Sequence, residues 1–215
     1  MRGRHAEEAS RIVEQVGEVR LSLLTDLHIA DAEETLARAR VVLAGALAPE
    51  TIVFAVRDHD ASVRTRLALT RSLLALARPR GARVVVHDRI DLMLAADADG
   101  VHLAQRSVDV LDARVLVGRR HLGRSCHDDA GLAAAGGCDA ATLSPLFASP
   151  GKGAPLGVAR FATLARAAAM PVIALGGITA TNAAEAFAAG AAGVATIRGW
   201  LVDDPLTLLR AVESC

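Results

Sequence analysis

The chain has 215 residues, with Lys+Arg 24 against Asp+Glu 24 and a formal net charge of +0. That length fits one domain or one large α/β barrel, and the charge balance excludes a broad electrostatic grip on nucleic acid or an anionic membrane. A hydrophobic share of 52% with only 2% aromatics excludes disorder and leaves few base-stacking platforms.

In chain order, polar residues over 1–18 interleave with Ile12, Val13 and Val16 at helical spacing, which predicts an extra helix closing a barrel bottom. The basic residues at the start have no apolar core behind them, so no secretory signal is expected. No apolar run approaches the ~18–20 residues needed to cross a bilayer. Short β-type runs then fall at 19–25, 51–57, 83–88, 99–104, 121–126, 140–146, 171–177 and 193–198. Ala/Leu/Arg-rich helical stretches separate them at 31–47, 62–78, 89–97, 108–117, 128–137, 159–169 and 181–190, with a last one at 204–214. The strands are apolar runs rather than clean alternations, as parallel strands covered on both sides should be. Strict βα alternation over this length predicts one compact (β/α)8 TIM barrel spanning 1–215. An open doubly wound sheet is disfavoured, because the first turn, TDLHIAD, contains no glycine.

Three cysteines (Cys126, Cys138, Cys215), odd in number and without metal-ligand spacing, suit a reduced cytoplasmic protein. The histidines show neither HxH nor HExxH spacing, so no zinc site is expected. Only one basic side chain other than arginine is present among the Lys and Arg residues: Lys152.

In such barrels chemistry sits on the loops after the strands. Gly176 and Gly177 end strand seven, and Arg198 and Gly199 end strand eight. Loops there hold phosphate through free N–H groups and a forked guanidinium, or the glycines simply make a tight turn. His127 falls just past strand five, where an imidazole can move protons or merely begin a helix. Asp128 and Asp129 orient it or cap the helix. The Pro/Gly-rich loop 144–157 carries Lys152 and reads as a ligand cover or a plain surface loop. Asp88 could bind Mg²⁺ or a polar ring substituent. Arg89 pairs with a neighbour, Asp91 starts a helix, and His102 reads as a buried structural histidine.

Laid out together, LLTD (23–26), AVRDHD (55–60), VVHDRIDLML (85–94), ADGVHLAQ (98–105), GRSCHD (123–128), SPLFASPGK (144–152), PVIALGGIT (171–179) and GAAGVATIRG (190–199) resemble the thiamine phosphate synthase/TenI superfamily. The resemblance covers nearly the whole chain and implies a (β/α)8 barrel binding a small phosphorylated thiazole ligand. It implies two activities. A synthase joins a pyrimidine pyrophosphate to the thiazole phosphate with Mg²⁺; a TenI-type tautomerase moves a proton on a thiazole carboxylate phosphate without metal.

Departures from the synthase pattern cluster at the pyrophosphate and metal half. Where the resemblance implies Gln-Leu-Arg-x-Lys, the chain has Ala55, Val56, Arg57, Asp58 and His59. His87-Asp88 replaces Asn-Asp, and Gln105-Arg106-Ser107 lacks the second metal carboxylate. The lid keeps Ser149 and Lys152, and GRSxH matches the TenI form. The resulting expectation is a cytoplasmic thiazole tautomerase, an isomerase without cofactor. In it His127 shuttles the proton, Gly176, Gly177, Arg198 and Gly199 hold phosphate, and Arg57, His87, Asp88, Ser125, Ser149 and Lys152 surround the ligand. The alternatives are a divergent synthase using Mg²⁺ on Asp88, and a non-catalytic binding barrel. No nucleic-acid or membrane partner is expected, and a homo-oligomer is compatible with the sequence.

Overall fold

The computed structural model describes residues 18–215; the helix expected over 1–18 lies, but for its last position, outside the described residues. The elements run β1 (Leu21–Leu24), α1 (Ala32–Gly45), β2 (Ile52–Val56), α2 (Val63–Ala77), β3 (Arg83–His87), α3 (Ile90–Ala96), β4 (Gly100–Leu103) and α4 (Val110–Val117). They continue as β5 (His121–Cys126), α5 (Asp129–Ala134), β6 (Ala140–Leu143), α6 (Gly157–Ala167), β7 (Val172–Leu175), α7 (Ala183–Ala188), β8 (Gly193–Thr196), α8 (Arg198–Leu201) and α9 (Pro205–Glu213). The eight parallel strands close into a barrel in sequence order, giving the (β/α)8 fold.

Helix starts follow local chemistry. Asp31, Ser62, Asp109, Asp128 and Asp204 each accept a backbone N–H of the helix they precede. Such caps contribute about 0.5–2 kcal/mol each. Closure comes from β1 pairing with β8, Leu21 against Val194 and Leu23 against Thr196. Trp200 seals that seam: its indole N–H donates to the Leu24 carbonyl at 2.8 Å, and its ring meets Phe54 edge-on at 5.9 Å.

The strands look continuously apolar but sort by parity, because successive side chains point to opposite faces. Outward residues such as Leu23, Phe54, Val84, Leu103, Leu122 and Leu143 join the large core shared with the helices. Inward residues Leu24, Val53, Ala55, Val85, Ala140, Ile173 and Ala195 form a second, smaller cluster inside the barrel. On β3 to β6 the inward positions turn polar, with His87, His102, His121, Ser125 and Thr142.

Bulky imidazoles fit there because the neighbouring strand supplies a glycine at the same level. His102 pairs with Gly123, and Gly100 with His121. A Cβ on Gly123 would lie 2.4 Å from His102 Nδ1. Gly123→Ala is therefore expected to displace the His102 ring and destabilise the fold by about 1–3 kcal/mol, measured by equilibrium denaturation.

Candidate active site

The barrel interior opens into a cavity of about 210 Å³ running from Val19 and Ser22 at the amino-terminal end to Arg57, Gln105, His127 and Lys152 at the carboxyl ends of the strands. Its lower wall is small and apolar: Val53, Ala55, Val85, Ala140 and Ile173. Its upper wall is a run of imidazoles. The His59 ring meets the His87 ring at 4.9 Å and 83°, and His87 lies 5.6 Å from His102. His102 Nε2 is 3.1 Å from both Ser125 Oγ and Thr142 Oγ1. His102 is thus hydrogen-bonded, as a buried structural histidine should be, yet it also lines the cavity.

Burial dominates the protonation of this wall. Desolvation, with the His102 and His59 rings and two arginines adding to it, pushes His87 down to about 2. Desolvation, then the neighbouring His121, lowers His102 to about 3, and burial with Arg83 and Arg114 does the same to His121. His59 moves the same way through burial and the nearby Arg57. The interior is therefore uncharged at neutral pH and offers hydrogen-bonding nitrogens without net charge. Among the described residues, His87 Nδ1 and His121 Nδ1 are buried without a hydrogen-bond partner.

The mouth carries the positive charge. Asp58, buried after β2, accepts from the Thr25 hydroxyl and, at 2.6 Å, from the Leu27 N–H. Thr25 Oγ1 in turn accepts the Arg57 N–H at 3.0 Å. These bonds tie the loops after β1 and β2 together and set the Arg57 backbone, whose guanidinium lies 3.9 Å from Asp26. Sequence reasoning placed Asp58 on the rim without a role; its buried carboxylate organises two loops.

After β5, His127 Nδ1 lies 2.7 Å from the Ser144 carbonyl and 3.2 Å from Ser144 Oγ. A carbonyl only accepts, so Nδ1 carries a proton there. Asp128 does not orient this ring; it caps α5 by accepting the Gly131 N–H at 2.7 Å. Asp129 lies 3.6 Å from Arg160. The Cys126 thiol is buried and pushed up to about 11 by desolvation, which makes it a packing residue rather than a nucleophile.

The loop before α6 is anchored, not loose. Leu146 and Phe147 donate their N–H groups to the carbonyls of Leu175 and Gly176, at 2.8 and 3.0 Å. Leu156 and Gly157 bond back to Pro145 and Leu146. The segment between these ties places Lys152 over the cavity. Gly176 and Gly177 permit this seating: both have positive φ, 97° and 66°, and a Cβ would lie 2.7 Å from Pro145 Cα at the first and 2.5 Å from the Ala148 carbonyl oxygen at the second.

Of the candidate residues, Arg57, His87, Ser125, His127 and Lys152 line one cavity, whereas Asp88, Ser149, Gly176, Gly177, Arg198 and Gly199 do not. Arg198 is exposed at the first turn of α8, an element the sequence reading treated as loop. That turn forms because the Gly199 N–H donates to Thr196 Oγ1 at 3.1 Å, so this amide is engaged within the chain. The turn after β7 is pinned by Asn182, which accepts from Thr179 N–H and donates to the Gly177 carbonyl, both at 2.8 Å. Asn182, Thr142 and Ser144 were missed; the T-x-x-N spacing at 179–182 is the signal that could have found the first.

A Mg²⁺ site fits this donor set poorly. Among the described residues no three metal-ligating side chains converge. The Asp88 backbone is left-handed, with φ 56°, and its carboxylate accepts the Ala104 N–H at 3.1 Å. Arg89 and Asp91 bond each other instead, Nε to Oδ1 at 2.7 Å. Among the described residues, no helix is long and apolar enough to cross a membrane.

Fold and cavity together define a parallel (β/α)8 barrel with a ligand site at the carboxyl ends of its strands, the class in which small-molecule enzymes are common. Within that class, the chain belongs to the thiamine monophosphate synthase family, whose model matches residues 21–200. A Geobacter sulfurreducens protein named "Putative thiamine-phosphate synthase" is 42% identical over 199 residues, covering 89% of this chain and 92% of its own. The thiamine-phosphate synthase of Chloroflexus aurantiacus is 35% identical, covering 81% of this chain and 85% of its own. The solved thiamine phosphate pyrophosphorylase of Pyrococcus furiosus superposes with a TM-score of 0.79 at 25% identity, over 91% of this chain and 96% of its own.

These relatives overturn the tautomerase expectation. Over most of the chain the likeness is to proteins named as synthases, and nothing in it supports an isomerase. The GRSxH match rested on one short segment. With that reading fall the isomerase class, the absence of a cofactor that went with it, and the proton-shuttle role given to His127.

The depressed imidazoles set a pH dependence. His87 and His102 stay neutral in the fold but titrate near 6.5 once unfolded, so the unfolded state binds more protons at acid pH. Their contribution is complete above about 6.5 and is lost as pH falls from there towards about 3. Stability is expected to drop by about 1.4 kcal/mol per pH unit for each such histidine. His102→Gln is expected to flatten that slope in denaturation series run between neutral and acid pH.

Proposed function

We propose that the protein is a thiamine phosphate synthase, a transferase that joins a pyrimidine pyrophosphate to a thiazole phosphate and releases pyrophosphate. The observation that carries this reading is the 35–42% identity to proteins of that name across more than four-fifths of both chains. The cavity is compatible with it. In such a transfer the bond from the pyrimidine methylene carbon to the pyrophosphate oxygen breaks, and the thiazole nitrogen donates its electron pair to that carbon. The leaving pyrophosphate keeps the electrons of the broken bond. No protein nucleophile is needed, and the buried Cys126 thiol supplies none.

The residues divide the work by charge. Uncharged His87 and His102 face the interior, and His59 stands exposed above them at the mouth; the three can hydrogen-bond flat, neutral rings without opposing them electrostatically. His127, its Nδ1 fixed on Ser144, holds its ring at the cavity wall. Arg57 and Lys152 at the mouth place cationic groups where phosphoryl charge collects as the carbon–oxygen bond breaks. Mg²⁺ is the cofactor associated with this activity, and no step here is assigned to it because the donor set around Asp88 does not make a preformed site.

The test is direct. Purified protein given the pyrimidine pyrophosphate, the thiazole phosphate and Mg²⁺ is expected to form thiamine phosphate and pyrophosphate in equal amounts. Lys152→Ala and Arg57→Ala are each expected to lower kcat/KM by about a hundredfold while leaving the thermal unfolding midpoint in place. Absence of condensation, with phosphate-ligand binding retained, would replace the synthase with a binding barrel.

A further inference from the structure

We propose that Arg66, a guanidinium buried beneath the rim of the barrel and outside the cavity lining, is a positioning residue of the site. By bonding the carbonyl at the end of β3, it sets where the His59–His87 ring pair stands over the cavity. The ring geometry holds without any reaction; the effect on turnover rests on the synthase reading.

Arg66 sits near the start of α2 and is only 4% exposed, whereas Arg64 and Arg71 on the same helix are exposed. A buried arginine is normally paired with a carboxylate. This one is not. Among the described residues it forms no ion pair, and its Nε is buried without a hydrogen-bond partner. The acids that face it are engaged elsewhere. Asp58 accepts from Thr25 and Leu27, Asp88 accepts from the Ala104 N–H, and Asp91 accepts from Arg89. Burial and then Arg89 lower the Arg66 pKa, against Asp58, Asp91 and Asp88, and an arginine keeps its charge even so. An unpaired charge held out of water is costly, and an apolar side chain would pack α2 at least as well.

What the guanidinium holds is one carbonyl. Nη2 donates to the His87 carbonyl at 2.8 Å. The β2–β3 pairing ends with Val56 against Val86, one residue short of His87. The next amide on the β2 side, that of Arg57, donates to Thr25 Oγ1 instead. The His87 carbonyl therefore lies beyond the ladder, and α2 supplies the donor there. Immediately afterwards the backbone turns left-handed at Asp88. The Arg66 bond thus fixes the last residue of the strand before that turn. The His87 ring meets His59 edge to face at 4.9 Å, and both rings line the cavity. After burial and nearer groups, the Arg66 charge also helps to hold both rings neutral.

Arg66→Met removes the charge and the donor but keeps a long side chain. Its unfolding midpoint is expected to stay in place or rise. Nuclear Overhauser contacts between the His59 and His87 ring protons, present in the parent, are expected to disappear. KM for a ring-bearing substrate is expected to rise by about tenfold with kcat within about threefold. Arg66→Lys keeps a charged donor, and only one N–H is needed here, so it is expected to restore the ring contacts and bring KM to within about threefold of the parent. Arg66→Gln, whose amide nitrogen reaches only as far as Nε, is expected to behave as the methionine variant, and it keeps the test decisive should methionine impair folding. The ring contacts are read without turnover, so they judge the inference even where no condensation is found. Ring contacts that survive in a folded Arg66→Met or Arg66→Gln would overturn the assignment. So would a lysine variant as impaired as methionine, or lost contacts with an unchanged KM in a chain that turns over.

Discussion

The interior volume of a closed eight-stranded barrel is fixed by strand number and tilt, and every inward side chain competes for it. Here that volume is divided unevenly. Strands β1, β2 and β7 fill their share with Leu24, Val53, Ala55, Ile173 and Leu175. Strands β4 and β5 exchange it reciprocally: Gly123 yields to His102, and Gly100 to His121. The cavity, its imidazole wall and the neutrality of that wall all follow from these exchanges. An alanine at Gly123 would reclaim space that the His102 ring now occupies, and one at Gly100 would strike the backbone of His121.

A second consequence is the separation of charge along the barrel axis. The interior is lined by histidines that burial keeps neutral, and Arg57 and Lys152 wait at the rim. A ligand with a neutral ring and an anionic tail would find the two environments in the right order. In a chain of zero net charge, the positive charge at the mouth is local rather than global.

The βα alternation made the fold legible, because apolar runs and cap residues such as Asp31, Ser62 and Asp204 recur at regular intervals. The mouth residues were legible because strand ends could be counted. The interior wall was less so. His102, Thr142 and His121 sit within strands, and only the parity of each strand, fixed by pairing, decides that they face inward. Asp128 beside His127 shows the limit of adjacency: neighbours in sequence, they turn to different tasks, one capping a helix and one bonding the Ser144 carbonyl. The GRSxH segment misled for the same reason. A histidine that this carbonyl holds in place is explained by geometry before any proton transfer is invoked, and likeness across the whole chain outweighs both those five residues and the departures at 55–59, 87–88 and 105–107.

Lys152 has a meaning beyond its charge. It is the single lysine of the chain, and the ties at Leu146, Phe147, Leu156 and Gly157 hold its loop above the cavity. Arginine does not acylate or form imines under mild conditions, so an amine-directed reagent meets one side chain in the protein, and that side chain stands at the entrance to the cavity. The molecule thus carries a built-in attachment point for a reporter, and a dye or isotope label placed there would sense the entry and departure of ligand without any engineered residue.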